Sequence, residues 1–159
     1  YCRNSANPVG HLVLYLCGYR DAERQQLSDA TCTALQLANF WQDVTVDLEK
    51  NRIYLPLEDL RRFGYTEEAL RDQVFNPQFA ELMRFEVDRA RALFMTGIRL
   101  CDMVNSRVRA DLDLFNRGGL AILDMIEQQG YDVLTRRPSL SRARKISLML
   151  RYAMKRLVP

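Results

Sequence analysis

The sequence contains little glycine and proline, few cysteines and a single histidine. Its 159 residues include 7 Gly, 5 Pro, 4 Cys and 1 His, a composition that excludes a collagen-like or low-complexity chain. The cysteines form no C-x-x-C pair and one histidine offers zinc few ligands, so neither a disulfide framework nor a structural zinc site is expected. No apolar run approaches the roughly 20 residues that span a bilayer. These absences predict a soluble, cytoplasmic protein.

The residues that are abundant favour a globular core. Hydrophobic residues make up 48% of the chain and charged residues 27%, which is typical of a folded domain. A length of 159 residues fits one domain better than two. Residue 1 is Tyr1 and a strongly patterned segment follows it at once, so we expect the chain to be part of a longer protein.

Helical periodicity dominates the whole sequence. Apolar residues recur at intervals of three and four, and no useful stretch alternates as a strand would. The residue before Pro56 is pushed away from helical angles, so residues 52–56 are predicted to be extended. The predicted helices cover approximately residues 7–19, 28–49, 57–63, 66–73, 79–104, 111–129 and 140–157. Asn7, followed by Pro8, is the predicted N-cap of the first helix, Ser28 or Asp29 of the second and Thr66 of the fourth. The expected fold class is therefore all-α.

The second predicted helix carries an unusual polar stripe. At about 100° per residue, Gln36, Asn39, Asp43 and Asp47 lie within roughly 80° of one another on an ideal helix. Two carboxylates one turn apart repel each other in a partly buried setting and need a cation or a proton. Magnesium takes such hard oxygen ligands together with the oxygens of a substrate phosphate, and Arg52 could contact that phosphate.

A structural interpretation of the same stripe stays open at this point. Most D-x-x-x-D pairs on helices are solvated acids, and others form ion pairs that hold a helix in place. The apolar neighbours Leu35, Phe40 and Val44 are unlike those of a fully solvated face. They favour a magnesium and phosphate site without establishing one.

Three motifs resemble one known family. The segment from Gln36 to Pro56 resembles the second aspartate-rich motif of the squalene/phytoene synthase family, Q-x-x-N-x-x-R-D-x-x-x-D followed by R-x-Y-x-P. Residues 1–10, YCRNSANPVG, resemble its segment Y-C-x-x-V-A-G-x-V-G. Residues 123–137, with L-D-x-I-E, Y-D-V and two adjacent arginines, resemble its C-terminal signature. The three motifs follow the family's order and spacing.

The resemblance implies a fold and a domain boundary. Members of the family are isoprenoid-synthase-type helical bundles around a central cavity, with two aspartate-rich motifs that face each other. Only the second motif is present in this chain. Residues 1–159 would then be the C-terminal part of a single domain, and this part alone would be inactive.

The resemblance also implies metal-binding and catalytic residues. Asp43, Asp47 and Asn39 would bind Mg²⁺, and the two aspartates would act in catalysis by neutralising the charge of the departing diphosphate. Tyr1 matches the family's active-site tyrosine, whose ring could stabilise a nearby carbocation.

Four residues would bind the substrate: Gln36, Asn39, Arg52 and Arg136. The substrate would be a prenyl diphosphate, either presqualene or farnesyl diphosphate. The chain departs from the family pattern at residues 5–8, which read S-A-N-P where V-A-G-x is usual, and at Gly118-Gly119, where an aromatic residue is often found. The third departure is Gln42, which stands where an arginine usually precedes the first aspartate. This departure removes one expected diphosphate contact.

The sequence S-A-N-P-V-G at residues 5–10 is similar to the hydroxysqualene synthase branch of bacterial hopanoid biosynthesis. That branch is expected to convert presqualene diphosphate and water into hydroxysqualene and diphosphate, with Mg²⁺ and without NADPH. Two alternatives remain: a squalene or phytoene synthase, and a non-catalytic family member that acts in assembly or interaction.

Basic residues are concentrated near the C-terminus. Residues 133–159 hold eight of the 23 basic residues and none of the 20 acidic ones. A basic terminal helix could contact anionic lipid at the inner membrane surface, while a solvated basic face explains the same pattern. Nucleic-acid binding is not expected, because the pI of about 8.8 is below the usual basic footprint.

Overall fold

The computed structural model describes residues 1–157, apart from several side chains in the last helix. Every regular element within this range is helical, which confirms the prediction of an all-α fold. Two short 3₁₀ turns, Cys2–Asn4 and Ile98–Asp102, accompany the α-helices. The eight helices of the described range are α1 Ala6–Leu16, α2 Ala22–Gln42, α3 Val44–Glu49, α4 Leu57–Arg62, α5 Glu67–Arg71, α6 Pro77–Gly97, α7 Ser106–Gln128 and α8 Arg142–Leu157.

Helix α2 lies at the centre of the molecule and packs against α1, α6 and α7. The main core forms where these helices meet the short helices α4 and α5. Its largest side chains are completely or almost completely buried: Trp41, Leu60, Leu70, Phe79, Leu82, Met83, Phe94, Leu123 and Ile126. This core fixes the orientation of α2 and of its polar stripe, because the opposite face of the helix packs into the core.

Side-chain caps fix where several helices begin. Thr66 Oγ1 accepts from the backbone N–H of Ala69 at 3.1 Å, as expected from the sequence. Asn76 Oδ1 accepts from Phe79 N at 2.9 Å, with Pro77 at the first helical position. These caps satisfy first-turn amides that have no partner within the helix.

The first two helices begin earlier than predicted. Asp21, and not Ser28 or Asp29, caps α2, since its Oδ1 accepts from Arg24 N at 3.0 Å. Helix α1 begins at Ala6 after Ser5. Asn7 does not cap α1, because its side chain instead accepts a hydrogen bond from Thr33 of α2. A tertiary partner has therefore replaced the local role that the sequence favoured.

The single helix predicted over residues 28–49 is two helices. The backbone of Asp43 has φ −109° and ψ 19°, so this residue ends α2 and precedes α3. Its N–H still donates to Asn39 O at 2.9 Å, and its carbonyl accepts from Asp47 N at 2.8 Å. The predicted stripe therefore continues across a break, with Asp43 on one side and Asp47 on the other.

Close contact between α1 and α2 depends on Gly10. A Cβ atom at this position would lie 2.4 Å from Ser28 Oγ and 2.6 Å from Cys32 Sγ. Neither distance allows a methyl group without movement of the neighbours. Glycine thus lets the two helix backbones approach until their polar side chains meet.

The later helix boundaries also shift, and α8 docks on α7. Helix α6 ends at Gly97 instead of continuing to residue 104, and α7 begins at Ser106 because Asn105 caps it. The Tyr152 hydroxyl of α8 donates to Asp111 of α7 at 2.7 Å. Among residues 1–157, no helix is long and apolar enough to cross a membrane.

Candidate functional site

The polar side chains in the first half of α2 are paired with α1. The two helices form three side-chain contacts at regular steps along their interface, between Thr33 Oγ1 and Asn7 Oδ1 (3.0 Å), Asp29 Oδ1 and His11 Nε2 (2.7 Å), and Gln25 Nε2 and the Tyr15 hydroxyl (3.0 Å). Gln25, Asp29 and Thr33 continue the predicted stripe towards the start of α2 on the same helix face, and we call them the covered half of this extended stripe. Each of these side chains already has a protein partner.

The second half of the stripe has a different environment. Gln36, Asp43 and Asp47 are half-buried and Asn39 is exposed. We call these four residues the open half. Within residues 1–157, the side chains of Gln36, Asn39 and Asp47 have no hydrogen bond or ion pair to another described side chain. Their oxygen and amide groups are available to a ligand.

One member of the open half is held by an arginine. Arg137 Nε donates to Asp43 Oδ1 at 2.6 Å, with 47% and 32% of the two side chains exposed. The sequence indicated Arg136 as the basic residue of this segment, and that residue is exposed, with no described contact to Asp43. Arg137 is the basic side chain that reaches Asp43. The sequence feature that could have identified Arg137 is the pair of adjacent arginines at positions 136 and 137.

Arg52 is placed next to Asp47 by the turn that follows α3. The backbone N–H of Arg52 donates to Asp47 O at 2.9 Å. Both residues line a small pocket together with Phe40, Val44, Leu48, Ile53, Tyr54, Leu55 and Leu70. An acidic and a basic side chain thus share one mostly apolar pocket at the end of the stripe.

Tyr1 lies in an aromatic cluster on this side of the molecule. Phe40 and Tyr54 stack with ring centroids 3.9 Å apart and an interplanar angle of 11°. The ring of Tyr1 meets them edge-on, at 5.4 Å from Phe40 and 5.5 Å from Tyr54. Tyr1 itself is 70% exposed. The fold therefore brings Tyr1 to the motif helix, and sequence reasoning missed Phe40 and Tyr54 as its partners.

The available ligand set suits a hard cation better than zinc. In the described part of the chain, no group of three or more His, Cys, Asp or Glu side chains is placed to bind a metal ion. The open half offers two carboxylates and the amide oxygens of Asn39 and Gln36. Magnesium keeps several waters and commonly uses one or two protein carboxylates together with substrate phosphates, so this donor set fits Mg²⁺.

Comparisons with known proteins agree with the motifs. The family model for squalene/phytoene synthase matches residues 1–144. A 15-cis-phytoene synthase from Synechocystis is 38% identical over 122 residues, which cover 77% of this chain and 36% of the relative. A presqualene diphosphate synthase from Rhodopseudomonas palustris is 28% identical, with 96% of this chain and 55% of the relative covered.

Solved structures give the same result. The crystal structure of squalene synthase HpnC from Alicyclobacillus acidocaldarius is 49% identical with a TM-score of 0.82, covering 83% of this chain and 50% of that one. A dehydrosqualene synthase structure, at 24% identity and a TM-score of 0.84, shares the fold over 100% of this chain and 56% of its own. The chain thus spans about half the length of most of these proteins. It belongs to the squalene/phytoene synthase family.

Proposed function

We propose that this chain supplies the second aspartate-rich motif of a magnesium-dependent enzyme that acts on prenyl diphosphates. The observation that carries the proposal is the open half of the stripe. Gln36, Asn39, Asp43 and Asp47 match the family motif in type and spacing, and the fold leaves three of the four without a described side-chain partner. A partly buried acid without a partner, such as Asp47, has an electrostatic cost that a bound cation can offset.

In this proposal Asp43, Asp47 and Asn39 bind the metal. Magnesium supplies charge neutralisation for the diphosphate group as the carbon–oxygen bond to it breaks. Asp43 lies at the break between α2 and α3, and Asp47 lies in α3, so the two carboxylates that would hold the cation come from successive turns of the chain. Asp43 keeps an oxygen, Oδ2, for the cation because the described ion pair with Arg137 uses Oδ1.

The remaining polar residues would orient the substrate. Arg52 and Arg136 are exposed. Arg52 follows Asp47 in the turn after α3, and Arg136 precedes Arg137 in the loop before α8. Guanidinium groups bind phosphate oxygens through two N–H donors at once. Gln36 would donate its amide N–H groups to the same diphosphate. Together they would hold the leaving group on the metal side of the substrate.

Tyr1 would act on the hydrocarbon side. The rings of Tyr1, Phe40 and Tyr54 form a cluster whose π faces attract positive charge. A carbocation formed when diphosphate leaves would be stabilised beside such a cluster. The high exposure of Tyr1, 70%, leaves its ring and hydroxyl accessible to a substrate.

The reaction we propose is the conversion of presqualene diphosphate and water into hydroxysqualene, diphosphate and a proton. The carbon–oxygen bond to diphosphate breaks, and a water oxygen forms the new bond to the rearranged carbocation. No reductant is consumed, so NADPH is not required. Support comes from S-A-N-P-V-G at residues 5–10 and from the 49% identity to squalene synthase HpnC.

We further propose that residues 1–159 are the C-terminal part of one longer domain. The relatives are about twice as long as the region that matches this chain, and only one aspartate-rich motif is present here. Residues 1–159 alone should therefore show no turnover of presqualene or farnesyl diphosphate, because half of the metal site is missing. Efficient turnover by this segment would contradict the two-motif arrangement.

The experiment that tests the reaction is a product analysis with the full-length natural protein that contains this chain. Given presqualene diphosphate and Mg²⁺ without NADPH, it should release an alcohol. Squalene that forms only with NADPH, or phytoene from geranylgeranyl diphosphate, would reject the branch and keep the family chemistry. Absence of every product would favour the non-catalytic assembly role.

We also propose that α8 contacts the inner membrane surface, and that the enzyme is otherwise cytoplasmic. Four apolar residues at helical spacing on α8 are exposed: Ile146, Met149, Leu150 and Met154. Six of the basic residues behind this expectation, Arg142, Arg144, Lys145, Arg151, Lys155 and Arg156, have side chains outside the described residues. An amphipathic basic helix binds anionic lipid through both apolar burial and charge.

Sedimentation with lipid vesicles tests this contact. The full-length protein should bind phosphatidylglycerol vesicles more strongly than phosphatidylcholine vesicles, and Met149→Glu should weaken the binding. Met95→Glu is the matched control, because Met95 is a similarly exposed methionine on α6. Equal binding by both variants and the parent protein would reject α8 as the contact.

A further inference from the structure

Arg137 makes a contact that the family motif did not predict. Its Nε donates to Asp43 Oδ1 at 2.6 Å, and its side chain is 47% exposed. The two residues are 94 positions apart in the sequence, so the contact is a product of the fold. It joins the loop between α7 and α8 to the first aspartate of the motif.

A dense set of hydrogen bonds holds the loop that carries Arg137. Gln42 Nε2 donates to the carbonyl of the buried Pro138 at 2.7 Å. On the other side, Gln129 Nε2 donates to Arg136 O at 3.0 Å. Asp132 caps the loop by accepting from the backbone N–H groups at positions 134 and 135, at 3.1 and 3.0 Å. These hydrogen bonds therefore hold the backbone in place on both sides of Arg137.

Gln42 connects this loop to the motif helix. It is the residue immediately before Asp43, at the position where the motif has an arginine. Its amide holds Pro138, the residue immediately after Arg137. The Gln42 side chain thus holds the loop in place, and Arg137 of that loop forms an ion pair with Asp43, the residue after Gln42.

We propose that Arg137 binds the substrate diphosphate and takes the place of the arginine that is absent at position 42. The inference rests on the proposed function of the open half. Arginine has five N–H donors, and the Asp43 contact uses the one on Nε. The donors on its two Nη nitrogens can bind phosphate oxygens, while Asp43 Oδ2 stays available to Mg²⁺.

Binding of inorganic pyrophosphate tests this role independently of turnover. Titration calorimetry would be performed on the full-length natural protein with excess MgCl₂, for the parent protein, Arg137→Gln and the double variant Gln42→Arg with Arg137→Gln. The matched control is Arg117→Gln. Arg117 Nε donates to Asp113 at 2.8 Å on α7 with 44% of its side chain exposed, so it loses a similar ion pair away from the site.

We expect Arg137→Gln to weaken pyrophosphate binding by about 10-fold to 100-fold, because one charged contact to phosphate is lost. The double variant should recover most of this affinity, since it restores a guanidinium beside Asp43. Arg117→Gln should bind like the parent protein. Thermal melts on all variants would show whether each one is folded.

The possible failures can be told apart. If the parent protein and Asp47→Asn both show no magnesium-dependent binding, the proposed function is wrong and the inference falls with it. If Asp47→Asn abolishes binding but folded Arg137→Gln binds like the parent, the inference alone is overturned. Loss of affinity in Arg137→Gln that matches the loss in Arg117→Gln would also overturn it, because the effect would not be specific to the site.

Discussion

The covered and open halves of the α2 stripe contain the same kinds of side chain in different surroundings. In the covered half, Asp29 lies 2.7 Å from His11 and Thr33 is bonded to Asn7. In the open half, Asp47 has no described side-chain partner and Asp43 has one arginine from a distant loop. Helix α1 accounts for the difference, because it lies along only the first half.

This comparison separates structural polar residues from candidate ligands. A half-buried polar group whose partner is a neighbouring helix contributes to packing and specificity. A half-buried acid without such a partner retains an electrostatic cost that only solvent, a proton or a bound cation can offset. Residue type and helical spacing are alike in both halves, so the partner decides which role each residue has.

The largest expected effect follows from removing one carboxylate of the open half. In the full-length natural protein, Asp47→Asn should lower turnover about 100-fold or more, because diphosphate departure loses charge neutralisation by the metal. Asp43→Asn should behave similarly. Folding of Asp47→Asn should change little, since a like charge one turn away is removed. Asp43→Asn also loses the partly exposed ion pair with Arg137, at a cost of about 1 kcal/mol or less. Steady-state kinetics and thermal melts on both variants measure the two effects.

Asp29→Asn is the matched control from the covered half. It should keep near-normal turnover, because Asp29 faces His11 of α1 and not the proposed metal. An Asp47→Asn variant that melts far below the parent protein but keeps its specific activity would contradict the metal site. That result would instead indicate a buried ion pair that holds the helix in place.

The second effect concerns how closely α1 covers the stripe. Gly10→Ala should destabilise the protein by about 1–3 kcal/mol, because the added methyl group must displace Ser28 and Cys32. Denaturant unfolding provides the measurement. Gly118→Ala is a control in a helix, since a Cβ there meets no atom within 4 Å. Equal stability of Gly10→Ala and the parent would mean that α1 can move away without cost.

The third effect compares one residue from each half. Asp29→Ala should cost about 1 kcal/mol of unfolding free energy, the usual net value of a partly exposed hydrogen-bonded pair. Asn39→Ala should change stability by less than about 0.5 kcal/mol, because exposed side chains without partners rarely matter for folding. Urea unfolding of the two variants gives both values. The comparison fails if Asn39→Ala is the more destabilising change.

A separate, pH-dependent effect concerns an acid outside the stripe. Glu86 of α6 is completely buried, and desolvation raises its pKa to about 8 although Arg89 opposes the shift and Asp59 adds to it. Here the folded protein keeps a proton that the unfolded chain releases. Stability should therefore fall as pH rises from about 4.5 towards 8.

Glu86→Gln tests this dependence, because glutamine resembles the protonated acid and does not titrate. Its unfolding free energy should fall less between pH 5 and pH 8 than that of the parent protein, with the smallest difference near pH 5. Parallel unfolding curves at several pH values provide the measurement. Identical pH profiles for the two proteins would show that Glu86 does not hold the proton.

Helical periodicity and local caps predicted most of the fold. The all-α class and the start at Thr66 followed from apolar spacing and short-range chemistry. The start of α2 was predicted wrongly, at Ser28 or Asp29, although Asp21 is also a good capping residue. The break at Asp43 was missed because no proline or glycine marks it. Local signals of similar strength compete, and tertiary packing selects among them.

The candidate site was predicted in part. The stripe from Gln36 to Asp47 and the position of Arg52 came from spacing and from the family motif. The ion pair of Arg137 with Asp43 could not be predicted, because it joins residues 94 positions apart. The stacking of Phe40 on Tyr54 was missed for a similar reason, since Phe40 looked like an ordinary core residue of its helix.

The amino-acid sequence by itself determined the helical class, the family and the list of polar residues of the stripe on α2 and α3. These depend on residue type, helical period and motif order, which are properties of the chain read in one dimension. The tertiary structure decided which of those residues have partners. Which residues have partners depends on where the contact between α1 and α2 ends and on where the loop before α8 meets the end of α2. Coulomb interactions and hydrogen bonds act over only a few ångströms, so proximity in space and not in sequence sets these pairs.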